Sequence, residues 1–112
     1  MARLAASVVA SALLRRAQSE GGFGAVIHKG DATAGSILVI LLEKGRNPRP
    51  YERLLQQGGE YAWQEVTPAT GDSEAEVPLF IARRRRFDPD LWVLELDIPS
   101  SERFAAEMNE AN

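Results

Sequence analysis

Ile37-Leu38-Val39-Ile40-Leu41-Leu42 places six apolar residues in a row, and how this stretch is read decides the fold. A strand resting on a single core alternates apolar with polar residues. This one does not alternate, so both of its faces call for burial and it belongs in the middle of a sheet. Left at an edge it would template aggregation. The second face then has two candidate covers: helices divided between the two sides of the sheet, or another copy of the chain.

Working outward, Phe23, Ala25 and Ile27 alternate with Gly24, Val26 and His28, which reads as a preceding strand. Lys29 to Gly35 is suited to reversing the chain and makes Ser36 to Leu42 the partner strand. Lys44 to Pro48 is a polar turn. Arg49 to Gln56 is a third strand, with an irregular start at Pro48 and Pro50 that predicts pairing on one side only. Gln57-Gly58-Gly59-Glu60 is a hairpin loop leading to a fourth strand, Tyr61 to Val66, which completes a four-strand meander. Thr67 to Asp72 reads as a mobile loop.

Asp72 or Ser73 caps a helix with Glu74 and Glu76 in its first turn, where the helix dipole favours acids. Pro78 implies a kink or a later start. Val77, Phe80, Ile81 and Phe87 supply the buried stripe, and Asp88-Pro89-Asp90 ends the helix. Leu91 to Ile98 returns as a fifth strand, with Trp92, Leu94, Leu96 and Ile98 on one face, and Ser101 to Glu110 is a last helix.

At the N-terminus, Arg3, the apolar residues Leu4 to Leu14 and the Ala10-Ser11-Ala12 triplet imitate a signal peptide. The apolar stretch before that site is too short, and Arg15 and Arg16 follow it. At helical spacing Leu4, Val8, Val9, Ala12, Leu13 and Ala17 form one stripe, so the segment reads as an amphipathic helix closed by Gly21-Gly22. The expected fold is therefore α+β: an antiparallel sheet of about five strands, with N-terminal, pre-last-strand and C-terminal helices.

The 112 residues fit one domain spanning 1–112, and 45% hydrophobic with 26% charged content is ordinary for a globular chain. The absence of cysteine removes disulfides, thiolate catalysis and cysteine-ligated metal. A net charge of −3 speaks against a broad affinity for nucleic acid or anionic membrane. No run approaches the roughly 20 apolar residues that cross a bilayer, so a cytoplasmic protein is expected.

Ala10-Ser11-Ala12-Leu13-Leu14-Arg15-Arg16, Gly21-Gly22-Phe23, Gly30-Asp31, Ala34-Gly35, Ala82-Arg83 and Phe87-Asp88-Pro89-Asp90-Leu91-Trp92 together resemble a family of small bacterial proteins known only as domain of unknown function 1491. The likeness spans nearly the whole chain, and its last segment is the most specific. It implies a compact bacterial domain and carries over no catalytic residue.

The chemistry on offer is sparse. Arg83, Arg84, Arg85 and Arg86 form the dense charge cluster of an otherwise acidic chain. On a helix they fan over about 300° and cannot converge on one partner. They complement the negative end of the helix dipole, with Asp88, Asp90 or Glu95 as ion-pair partners. The functional reading joins two of them with Arg15 and Arg16 in a fork-lined pocket for phosphate or carboxylate.

Asp88 and Asp90 offer paired carboxylates, although aspartates flanking a proline also satisfy a turn's own backbone. His28 is the one group suited to proton transfer near neutrality, with Asp31 three residues on and no nucleophile placed beside it. The glycine clusters at 21–24 and 30–35 lack the lysine and following helix of a phosphate loop. Tyr61, Trp63 and Trp92 alternate on strands and read as packing rather than base stacking.

No catalytic residue, metal or cofactor is implied, and the balance points away from an enzyme. The leading expectation is a cytoplasmic, self-associating interaction module, a homodimer with unidentified partners. The alternative is a binder or enzyme for a small anionic ligand through Arg83 to Arg86, with His28 or Asp90 moving a proton. Local RNA contact is the weaker option.

Overall fold

Every residue from Ile37 to Leu42 is buried. In the computed structural model, which describes residues 4–66 and 73–111, these six residues lie in a strand at the centre of a five-stranded sheet. The chain runs α1 (Ala6–Ser19), β1 (Phe23–His28), β2 (Ile37–Glu43), β3 (Arg46–Leu55), β4 (Tyr61–Glu65), α2 (Ser73–Phe87), β5 (Trp92–Asp97) and α3 (Ser101–Ala111). The expected Thr67 to Asp72 loop, the Asp72 cap and Arg3 lie outside the described residues.

The sheet order is β1-β5-β2-β3-β4. β2, β3 and β4 form the expected meander, but β1 does not pair with β2. β5 inserts between them, antiparallel to β1 and parallel to β2, so the sheet is mixed rather than purely antiparallel. The cause is visible at both ends of the connection. Residues 29–36 form a wide loop that folds over the start of β5 instead of a tight hairpin, with the Trp92 N–H bonded to the Ser36 carbonyl at 2.8 Å. Leu91 to Leu94 is itself a non-alternating apolar run, buried on both faces and suited to an interior position.

The helices divide between the two faces, which is how β2 is shielded twice. Ile37, Val39 and Leu41 pack with Trp92, Leu94 and Leu96 against Val9, Leu13 and Ala17 of α1 and Phe104 and Met108 of α3. On the opposite face Leu38, Ile40 and Val93 meet Val77, Phe80 and Ile81 of α2. The α1 stripe is rotated from its expected position: Ala6 and Ala10 are buried, whereas Leu4, Val8 and Ala12 are exposed. Phe87, assigned to the buried stripe of α2, is 79% exposed. Pro78 lies inside α2 on its exposed side.

β3 begins at Arg46, earlier than expected, and holds Pro48 and Pro50 within it. The Pro50 carbonyl accepts the Val66 N–H, so the proline nitrogens point toward the β4 side. β4 ends at Glu65, so Pro50 forfeits only the return bond to Val66, just past the end of the ladder. Gly21, at φ 84°, closes α1 in the left-handed conformation, and the Gly22 N–H reaches the Ala17 carbonyl at 3.0 Å. Two helix N-termini are capped from elsewhere in the chain. The carbonyls of Thr33 and Ala32 accept the N–H groups of Ala6 and Ser7, and Glu43 Oε2 accepts the Ser101 N–H at 2.7 Å.

Candidate functional site

The four arginines do not act together. Arg84 reaches across α2 to β3 and holds Glu52 through two parallel hydrogen bonds, of 2.5 and 2.7 Å, at a position where Glu52 is buried. Those bonds raise the Arg84 pKa above its ordinary value. The partner is thus Glu52, not Asp88, Asp90 or Glu95. Arg83, Arg85 and Arg86 are exposed, and no ion-pair partner meets them among the described residues.

Arg15 and Arg16 lie on α1, across the sheet from α2, so the structure does not bring them to the arginines of α2. Arg16 is engaged with α3: it donates to the Glu107 carbonyl at 3.1 Å and pairs with the Glu20 and Glu107 carboxylates. Desolvation first, and then the adjoining Glu107 carboxyl, hold Glu20 above the usual carboxylate range, with Arg16 and Arg103 opposing the rise.

His28, Asp31, Asp88 and Asp90 do come together, in a joint that serves the backbone. His28 Nδ1 lies 2.7 Å from the Leu91 carbonyl. A carbonyl only accepts, so Nδ1 carries the proton and donates it. The Asp31 carboxylate accepts the N–H groups of Thr33 and Ala34, its N–H donates to the Asp90 carbonyl, and its carbonyl takes the Trp92 indole N–H at 2.7 Å. Asp88 accepts the Asp90 N–H. A side chain at Gly30 would overlap the Asp90 carbonyl, which is why glycine stands there. No His28–Asp31 pair forms, because each is bonded elsewhere. The most specific segment of the sequence is thereby a clasp joining the 29–36 loop, the N-terminus of α1 and the turn before β5. Among the described residues no group of three or more histidine, aspartate or glutamate side chains is placed to hold a metal.

One cavity, of about 320 Å³, opens on the α2 side of the sheet between Phe23, Ala25, Leu42, Gly45, Glu95 and Asp97. It lies against β1, where Phe23 is 67% exposed and Val26 and Ile27 are also open to solvent.

The two edges of the sheet differ. At the β4 edge, the outward N–H and C=O of Trp63 are both taken by one side chain, that of Asn109 on α3. Its Oδ1 accepts at 2.7 Å and its Nδ2 donates at 3.1 Å. At the β1 edge, the Trp92 and Ile98 N–H groups bond to β2, so residues 93, 95 and 97 of β5 face β1 and hold Phe23, Ala25 and His28. The backbone groups of Gly24 and Val26 therefore point away from the sheet, and no described residue meets them. Sequence reasoning missed Glu52, which nothing in its strand distinguishes from its neighbours. It also missed Asn109, whose one signal is an unfavourable residue inside a helix.

A mixed-sheet α+β domain with one plugged edge, one open edge and a backbone clasp is the class these features define. The pattern of the family described as "protein of unknown function (DUF1491)" matches residues 4–106, and the chain belongs to that family. It is similar to a DUF1491 family protein from Caulobacter crescentus CB15 solved by crystallography, with 31% identity over 91% of this chain and 94% of the other, and a TM-score of 0.80. The NMR structure of a DUF1491 family protein from the same organism is 29% identical over 94% of each chain, with a TM-score of 0.78. The solution structure of protein Atu0922 from A. tumefaciens is 28% identical over 93% of each chain, with a TM-score of 0.74. No curated protein matches the chain.

Proposed function

We propose that this protein is a cytoplasmic, non-enzymatic interaction module that self-associates by pairing β1 with β1 of a second copy across a two-fold axis. The observation that carries the reading is the contrast between the edges. Asn109 takes both outward backbone groups of Trp63 in the middle of β4, while among the described residues none meets the outward backbone groups of Gly24 and Val26, in a strand whose Phe23, Val26 and Ile27 are exposed. An uncovered apolar edge is a template for strand addition.

A second copy suits this edge. The segment Phe23-Gly24-Ala25-Val26-Ile27-His28 carries no acidic or basic side chain other than histidine, so antiparallel self-pairing sets no fixed like charges opposite one another. The free groups dictate the register. Gly24 bonds Val26 of the second copy and the reverse, Ala25 lies on the axis, and the large Val26 side chain falls beside the small Gly24. The irregularity between Val26 and His28 confines the pairing to this short segment.

Sedimentation velocity on wild type and Ala25→Lys tests the proposal. Ala25 is exposed and registers opposite Glu95 of β5, so the folded monomer tolerates lysine. At the axis, two ammonium groups would stand on Cα atoms about 4.5 Å apart. The expected result is a wild-type dimer weakened about tenfold or more by the substitution, with an unchanged circular dichroism spectrum. A wild-type monomer at high micromolar concentration, or a dimer indifferent to Ala25→Lys, overturns it.

A further inference from the structure

The outer side of α2 combines three features that intramolecular packing leaves unexplained. Leu79 is 60% exposed and Phe87 is 79% exposed, although both are large apolar side chains on a helix with a well-filled inner face. Arg83 stands between them at helical spacing, four residues from each, so the three side chains form one stripe about 12 Å long. Arg86 flanks that stripe. Neither arginine has a carboxylate partner among the described residues, whereas Arg16, Arg49, Arg84 and Arg103 all have one.

The helix dipole accounts for arginines in a last turn. It gives no reason for Leu79 and Phe87 to remain in water. We infer that this face is a docking surface for an acidic, apolar-faced segment of a different protein, such as a short amphipathic helix carrying glutamate or aspartate around two or three leucine-like side chains.

Charge decides the occupant. The stripe is basic only over its middle: Glu74 and Glu76 stand at the N-terminal end of α2, and Asp88 and Asp90 at the other. A nucleic-acid strand or an anionic membrane would extend past both ends into these carboxylates, in a chain already at −3. A two-turn acidic segment spans only Leu79 to Phe87, stops short of Glu74 and Glu76, and borders Asp88 at one end alone. Its apolar residues would cover Leu79 and Phe87 while two carboxylates take the forks of Arg83 and Arg86. α2 packs over β2, β3 and the start of β5 and not over β1, so the surface is separate from the one proposed for self-association.

Fluorescence anisotropy tests the inference with four labelled probes: a peptide of about eight residues held helical by a side-chain lactam, with leucine on one face and glutamate beside it, the same peptide with the leucines changed to serine, a single-stranded RNA oligonucleotide, and vesicles of anionic phospholipid. The full chain is used as wild type, R83E/R86E and L79S/F87S, whose changes fall on exposed positions. The expected result is saturable binding of the first peptide, weakened at least tenfold by either double variant and lost with the serine peptide. Absence of binding at high micromolar concentration, equal binding of the serine peptide, or stronger binding of RNA or vesicles overturns it. So does a change in sedimenting mass caused by R83E/R86E, which would make the face a contact between copies.

Discussion

The pair Arg84 and Glu52 joins α2 to the sheet through a guanidinium and carboxylate held face to face, both largely removed from water. Removing one partner leaves the other charge desolvated, whereas replacing both with apolar groups leaves nothing unpaired. Arg84→Ala is therefore expected to lower unfolding free energy by about 2 kcal/mol, given that Arg84 keeps some solvent contact. The double variant Arg84→Leu with Glu52→Met should recover most of that loss, and urea unfolding measures both. Glu20 behaves in the opposite sense. Its carboxyl has a folded-state pKa above the ordinary 4.5 because it is desolvated and lies against Glu107. The folded state thus holds that proton more tightly than the unfolded chain does. Its contribution is most favourable at low pH and declines as pH rises from 4.5 through the raised value. Glu20→Gln should flatten this part of the stability profile and raise Tm slightly at pH 7. A Tm that falls instead would mean that the Arg16 contact outweighs the desolvation.

At the scale of elements, α3 works as a plug as well as a cover, because Asn109 occupies both outward groups of Trp63 on β4. Asn109→Ala should cost about 1–2 kcal/mol by leaving those groups unpaired. In an Ala25→Lys background, where β1 is blocked, it should also produce new association visible by light scattering and faster amide exchange at Trp63. No change in either would show that the edge is closed by other means. The sequence announces such elements unevenly. The run Ile37 to Leu42 calls for a doubly buried strand, and it is one, at the centre of the sheet. In Leu91 to Ile98 the alternation of Trp92, Leu94 and Leu96 accounts for one face only. Leu91 and Val93 complete a second apolar face, which places β5, too, inside the sheet. The turn chemistry of Lys29 to Gly35 makes β1 read as a hairpin partner of β2. What those residues actually bond to, the turn at Asp88 to Asp90, is about sixty positions away and leaves no local trace. Phe87 illustrates the limit from the other side: at the last position of α2 it falls four and eight residues after Arg83 and Leu79, on the outer face, and is 79% exposed.

For the whole molecule, the consequence of this topology is a sheet finished on five of its six boundaries: helices on both faces, clasped or capped ends, and one plugged edge. The remaining boundary is β1, and adding a second β1 would give a continuous ten-stranded sheet with the two α2 surfaces far apart on its outer parts. If folding and pairing are linked in this way, stability must depend on concentration. Above the dissociation constant, each tenfold increase in protein adds about 1.4 kcal/mol per dimer, or about 3 °C in Tm. Calorimetry over a hundredfold concentration range should show this slope in wild type and, in Ala25→Lys, a slope that is absent or sets in only at about tenfold or more higher concentration. R83E/R86E should keep the wild-type slope, because those arginines belong to a different surface. A slope that survives in Ala25→Lys but vanishes in R83E/R86E would move the contact between copies from β1 to α2, and the functional assignment of both surfaces would exchange with it.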